Sequence, residues 1–174
     1  MKLHHVSLFM LLVVIETFGI ELKILYLEKC YGNEKFIVIR TCEILNKTMF
    51  DIRAYIVTHV DSIIFKPRGF IQDKNKKFRE VFKNTAINWC KLVNGNYKLS
   101  QNPIITIAVM LLKNKFPELY KPCPWEPYSI EHKNLSLGYK FLTIIPNGIY
   151  KAIFIAESFE GEVYAEVIFA FEVF

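Results

Sequence analysis

The residues best placed for covalent chemistry are four cysteines, Cys30, Cys42, Cys90 and Cys123. An even count favours disulfides over lone reactive thiols. Four cysteines allow three pairings, and sequence alone does not choose among them. The turn-like Tyr31-Gly32-Asn33 suggests Cys30–Cys42, two neighbouring segments joined around a turn, which leaves Cys90–Cys123. The loop-entropy argument assigns about 3 to 4 kcal/mol to each closure, less any native strain. Metal binding fits poorly. No Cys-x-x-Cys spacing occurs, and His59 and His132 lie in no ligand pattern.

Acid–base and nucleophilic catalysis find little support. There is no Gly-x-Ser-x-Gly elbow, no Gly-rich phosphate loop and no His-Glu-x-x-His. Proton transfer would rest mainly on carboxylates. Glu160 and Glu162 flank a turn, Glu166 and Glu172 alternate outward on a strand-like run, and Glu126 and Glu131 lack a matching partner. None of these pairs has a spacing that foretells glycosidase geometry. The expectation is a non-enzyme without a cofactor.

Two further patterns bear on location. Lys2, the apolar run Val6 to Ile15 and the small residues around Thr17-Phe18-Gly19 read as a cleavable leader over residues 1–19. That run is too short to span a bilayer, which needs roughly 20 apolar residues. The expected mature domain is 20–174, secreted and without stable membrane insertion. Asn46-Lys47-Thr48 and Asn134-Leu135-Ser136 are glycosylation sequons, which makes Asn46 and Asn134 candidate acceptors. With 52% hydrophobic residues and 15% aromatics, the chain can bury a sizeable core. The net charge is +5, and the one dense basic stretch is Lys74, Lys76, Lys77, Arg79 and Lys83. A secreted chain with so short a stretch is a poor nucleic-acid binder. The stretch suits a solvated loop or a rim meeting an acidic receptor or head group.

The elements that must position these groups are mostly strands. Phe36 to Leu45 is rich in β-branched residues. In 48–58, Phe50, Ile52, Ala54 and Ile56 share one face, opposite Asp51, Arg53 and Tyr55. Asn46-Lys47 suits a tight turn between them. Val60 to Phe65 continues as a strand that Pro67-Arg68-Gly69 is expected to break. Phe78, Val81 and Phe82 anchor the weaker segment from Lys77 to Trp89. Ser100 or Asn102 is placed to cap a helix with Pro103 in its first turn, running through an apolar segment toward Phe116. The same residues also suit a strand; the reading adopted is a short buried helix, ended by Pro117. Gly138 to Ile145 leads into the turn Pro146-Asn147-Gly148. Ile149 to Glu157 and Glu162 to Phe174 then form a terminal hairpin. Many short strands with regular turns predict an all-β sandwich.

The order of motifs also resembles a known family. Cys30 and Cys42 lie around the first strands. Asn84-Thr85-x-x-Asn88-Trp89-Cys90 precedes an apolar segment. Cys123-Pro124 follows, then Pro146-x-Gly148-x-Tyr150 ahead of the hairpin. This constellation resembles the ML (lipid-recognition) domain superfamily. It looks most like the insect-expanded ML-like secreted proteins that include the CheB contact-chemosensory proteins. One position departs: the family often has Asp where this chain has Asn88, so a role for that carboxylate does not carry over. The resemblance implies an immunoglobulin-like antiparallel β-sandwich of ML type whose splayed sheets enclose an apolar cavity. It implies Cys90–Cys123 pairing beside a short helix near the cavity mouth, with 104–112 as a partial lid.

A cavity of that kind binds by burying apolar ligand surface, at roughly 25 cal/mol per Å² before ordering costs. The expected lining is Phe50, Ile52 and Ile56, then Ile153 and Ile155, then Val167, Phe169 and Phe171, with Ile105, Val109 and Leu112 from the helix. The expected function is a secreted, non-catalytic carrier of a small hydrophobic ligand. Candidates are a lipid, sterol, fatty acid or cuticular-hydrocarbon pheromone, in chemosensory perception. The alternative is an interaction module that acts on a cell-surface receptor or channel through the basic stretch.

Overall fold

Alternating apolar and polar residues build a sheet with one dry face, and 49–56 is the clearest case. In the computed structural model, which describes residues 22–82, 85–95, 103–136 and 145–174, this segment is the middle strand of the smaller of two sheets. The strands are β1 (Leu22–Gly32), β2 (Ile37–Asn46), β3 (Met49–Ile56), β4 (Ile64–Gln72), β5 (Phe78–Phe82), β6 (Ile87–Asn88), β7 (Tyr128–Ser136), β8 (Gly148–Glu157) and β9 (Val163–Val173). The smaller sheet has the order β2-β3-β7. The larger runs β1-β9-β8-β4-β5, with β6 also on β4. All the pairings are antiparallel. Two helices, α1 (Trp89–Val93) and α2 (Pro103–Lys115), and the 3-10 turn Pro117–Tyr120 lie between β6 and β7. The protein is an all-β sandwich with a short helical insertion.

Several elements depart from the sequence expectation. The strand β4 runs straight through Pro67 instead of breaking there. Its edge is paired by β6 at Ile64 and Phe65 and by β5 from Gly69 onward. Residues 66–68 have no partner on that edge among the described residues, so a missing N–H is tolerated. The strands β1 and β7 have no counterpart in the sequence reading, because bulges break their alternation. In β1 the register slips twice, between Ile24 and Tyr26 and between Leu27 and Lys29. The inward set becomes Leu22, Ile24 and Leu27, which is not a period of two. In β7 the slip falls opposite Asp51, where Asn134 adopts φ 54° and donates its N–H to Asp51 Oδ1 at 2.7 Å. Asn residues tolerate this left-handed conformation better than most.

The helix α2 is present, and its Met110 is solvent-exposed, so it is not buried all round. The expected leader, Lys83, the candidate caps Ser100 and Asn102, and the segment 138–144 lie outside the described residues.

Two disulfides tie the sheets together. Cys30 of β1 joins Cys42 of β2 across a Cα–Cα distance of 6.4 Å. These strands belong to different sheets, so this bond links the two layers. The turn between them passes through Gly32, where a Cβ would stand 2.6 Å from the carbonyl oxygen of Ile37. Cys90 of α1 joins Cys123, just before β7, at 5.3 Å. A backbone bridge runs beside it: Val60 and Trp125 exchange two N–H···O bonds of 2.9 Å.

Candidate ligand cavity

The site grows from the inward faces of the two sheets. The strand β3 contributes Phe50, Ile52, Ala54 and Ile56, as its alternation dictates. The strand β2 adds Ile37, Ile39 and Ile44, its phase shifted by a register slip between Ile39 and Thr41. Across the gap, β9 presents Val167, Phe169 and Phe171, and β8 presents Ala152, Phe154 and Ala156. The two faces do not fill the space between them. A cavity of about 400 Å³ remains, within the range of ligand sites.

Small residues account for the void. Ala54, Ala152, Ala156 and Ala165 all line it, and Ala156 stands opposite Ala165 in register. Methyl groups in places where a sandwich core usually carries Leu or Phe leave space between the sheets at these positions. The solid core sits instead in two clusters. The larger contains Ile56, Val60, Ile63, Ile87, Trp89, Leu92, Trp125 and Ile130. The smaller contains Leu22, Ile24, Phe50 and Leu135, with Phe116 and Ile145 packed against it.

Aromatic rings frame the wall. Phe154 stacks between Phe65 at 5.7 Å and Phe169 at 5.8 Å, and Phe36 lies 4.6 Å from Tyr164. Trp89 packs edge-on against Tyr120, and its indole N–H donates to the carbonyl of Leu119 at 2.7 Å. The Trp125 indole donates to the carbonyl of Lys121 at 3.2 Å. Burial raises the Tyr164 hydroxyl above its ordinary pKa, partly offset by its hydrogen bonds with Ser62 and Ser158. Tyr128, beneath the 3-10 turn, is pushed up by burial and by the nearby Glu118 carboxylate, and donates to the Glu118 carbonyl at 3.2 Å.

Of the residues expected to line a cavity, Phe50, Ile52, Ile56, Leu112, Val167, Phe169 and Phe171 do so. Ile153 and Ile155 do not. They lie on the outer face, in register with Arg68 and Ile168 and with Lys66 and Glu166 respectively. Ion pairs Lys66–Glu157, Lys29–Glu166 and Arg68–Glu80 mark this face as the wet one. The strand β8 is apolar on both sides, so alternation fixed no phase, and the bulkier isoleucines looked more core-like than the alanines. Val109 is also displaced: it is buried in the larger cluster and is not among the wall residues. Ile105 lies on α2, and its side chain is outside the described part.

The wall also includes residues the sequence did not nominate, among them Leu22, Ile24 and Leu27 from bulged β1. Phe65, Trp89, Trp125 and Lys115 join them. The Ala-x-Phe-x-Ala pattern of 152–156 was the available signal for the inward face of β8.

The remaining nominated residues lie on the surface. Asn46 is exposed in the β2–β3 turn, its Oδ1 accepting from the Thr48 N–H at 2.9 Å and hydroxyl at 3.0 Å. Asn134 is exposed on the β7 bulge. Met49 pairs with both Asn46 and Ser136, so the two sequons share one end of the smaller sheet. Lys74, Lys76, Lys77 and Arg79 are exposed on the β4–β5 hairpin, whose turn is held by Asp73 Oδ1 accepting from the Asn75 and Lys77 amides.

No protein-family model matches the sequence, and no curated protein matches it either. The two disulfides suggest an oxidising environment. Among the described residues, no helix is long and apolar enough to cross a membrane.

Proposed function

We propose that this protein is a secreted, non-catalytic carrier of a small hydrophobic ligand, of the kind found in ML-like lipid-recognition proteins. The observation that carries this reading is the cavity between the sheets, walled almost wholly by aliphatic and aromatic side chains. Such a site binds by removing apolar ligand surface from water and needs little polar chemistry. The leader-like N-terminus, the stapled sandwich and the motif order support the same reading. Lipids, sterols, fatty acids and cuticular hydrocarbons are the candidate classes, with chemosensory perception as the setting.

Native mass spectrometry of protein secreted from eukaryotic cells tests the proposal. The expected result is a discrete adduct lost on denaturation. Protein that is consistently empty, and takes up no fatty acid, sterol or hydrocarbon, would sink it.

The exposed lysines of the β4–β5 hairpin favour a second role, contact with an acidic receptor or channel. Reversing Lys76 and Lys77 to Glu then abolishes partner binding and leaves ligand uptake intact. Unchanged partner binding would remove the hairpin from this role.

A further inference from the structure

The two walls of the cavity differ in chemistry. The strands of the smaller sheet line it with Ile37, Ile39, Ile44, Ile52 and Ile56, and Phe50 is their one ring. The larger sheet lines it with a row of rings: Phe65 of β4, Phe154 of β8, and Phe169 and Phe171 of β9. Phe65 lies 5.7 Å from Phe154, Phe154 5.8 Å from Phe169, and Phe169 5.7 Å from Phe171. Trp89 of α1, also in the wall, continues the row 5.8 Å beyond Phe65. Each separation is that of a favourable aromatic pair. Alanines leave these rings uncovered. Phe65 stands opposite Ala156 and Phe169 opposite Ala152, and a methyl group is too short to cover the ring beside it. Phe65 is level with Ala156 and Phe171 with Tyr150, so the row advances six residues along β8, roughly 20 Å at the rise of a strand. The result is a long aromatic strip facing an aliphatic wall.

A solid sandwich also carries rings on its inner faces, but there they meet the opposite sheet. Contacts of the rings with one another stabilise the sheet and do not select a ligand. The ring surface turned to the void does. A saturated chain gains from burial of area, and gains alike on both walls. A flat, π-bonded molecule gains in addition from offset-stacked or edge-to-face contact with the rings. We infer that the ligand is an elongated, flat hydrophobe with a conjugated skeleton, laid along the strip formed by Phe65, Phe154, Phe169 and Phe171. This rests on the cavity being a ligand site and narrows the class, setting conjugated skeletons above saturated chains and sterols.

The test is displacement of Nile red, an uncharged dye, from the full secreted protein by diphenylhexatriene, by its saturated counterpart dicyclohexylhexane and by hexadecane. The saturated counterpart is the more hydrophobic of the pair, so partition out of water works against the expected result. The triene should compete about tenfold better than its saturated counterpart. Phe154→Leu and Phe169→Leu, made separately, keep an apolar wall without the ring. Each should cut that advantage to about threefold or less and leave hexadecane affinity within about twofold. Equal or better competition by the saturated counterpart in the unmodified protein overturns the inference and leaves the carrier reading standing. An advantage undiminished in both variants does the same. A variant that no longer binds hexadecane has lost the cavity, and the other variant and the unmodified protein then decide. Failure of the dye and all three hydrocarbons to bind overturns the carrier reading itself.

Discussion

His59 stands between two carboxylates, its Nε2 2.7 Å from Asp61 Oδ1 and its Nδ1 3.0 Å from Glu126 Oε1. The hydrogen bond to Asp61, then that to Glu126, raises its pKa above the ordinary 6.5. A raised histidine stabilises the fold fully below its unfolded pKa and loses that contribution as pH rises through the folded value. Melting temperatures of the protein and of His59→Gln should therefore differ most on the acid side of 6.5 and converge above the raised value. A gap that widens with pH would show that the imidazolium is not the stabilising form. Trp89 makes a different demand, since it is 3% exposed and its N–H satisfies the Leu119 carbonyl. Trp89→Phe keeps most of the ring packing and orphans that carbonyl, so urea unfolding should show a loss of about 1–3 kcal/mol.

At the scale of elements, β8 decides both the void and what was legible. Its inward residues are Ala152, Phe154 and Ala156, and its outward ones include Ile153 and Ile155. A ring introduced by Ala152→Phe meets Phe169 across the register and occupies the cavity, so ligand uptake should fall by more than about tenfold in a displacement assay. Ile153→Thr should leave uptake unchanged and shift stability by no more than about 1 kcal/mol. The reverse pattern would put the isoleucine face toward the ligand. Where one face is polar, as in β3, alternation revealed the inward residues directly. The terminal hairpin was equally legible from its turn residues, and Pro103 marked the start of α2, whose apolar run by itself suited a strand as well. In β8 both faces are apolar, and in β1 and β7 bulges reset the phase, so a strict period of two could not be read. The wall residues of β1 were missed for that reason. Trp89 and Trp125 were missed because neither belongs to a long strand; α1 and the bridge to Val60 bring them in. Hollowness itself left only a faint trace, a few alanines at positions where cores carry larger groups.

At the scale of the whole molecule, the disulfides set the balance between stability and access. The closures span 12 and 33 residues, for which loop entropy gives about 3 and about 4 kcal/mol. Replacing Cys30 and Cys42 together by alanine should lower unfolding free energy by about 3 kcal/mol in urea. A loss below about 1 kcal/mol would mean that the β1 and β2 strands hold the layers together without it. The placement of the two bonds has a mechanical consequence. The first fastens β1 to β2, which are the edge strands along one side of the sandwich. The second fastens α1, just after β6, to the loop before β7, at the end of the sandwich where β4 and β7 begin. Two layers pinned at these two separate points cannot swing freely apart like the covers of a book. The two tryptophans and their cluster fill the end where β4 and β7 begin. The smaller cluster, Leu22, Ile24, Phe50 and Leu135, packs at the other end, where β1, β3 and β8 begin, β7 and β9 finish, and the two sequon asparagines stand.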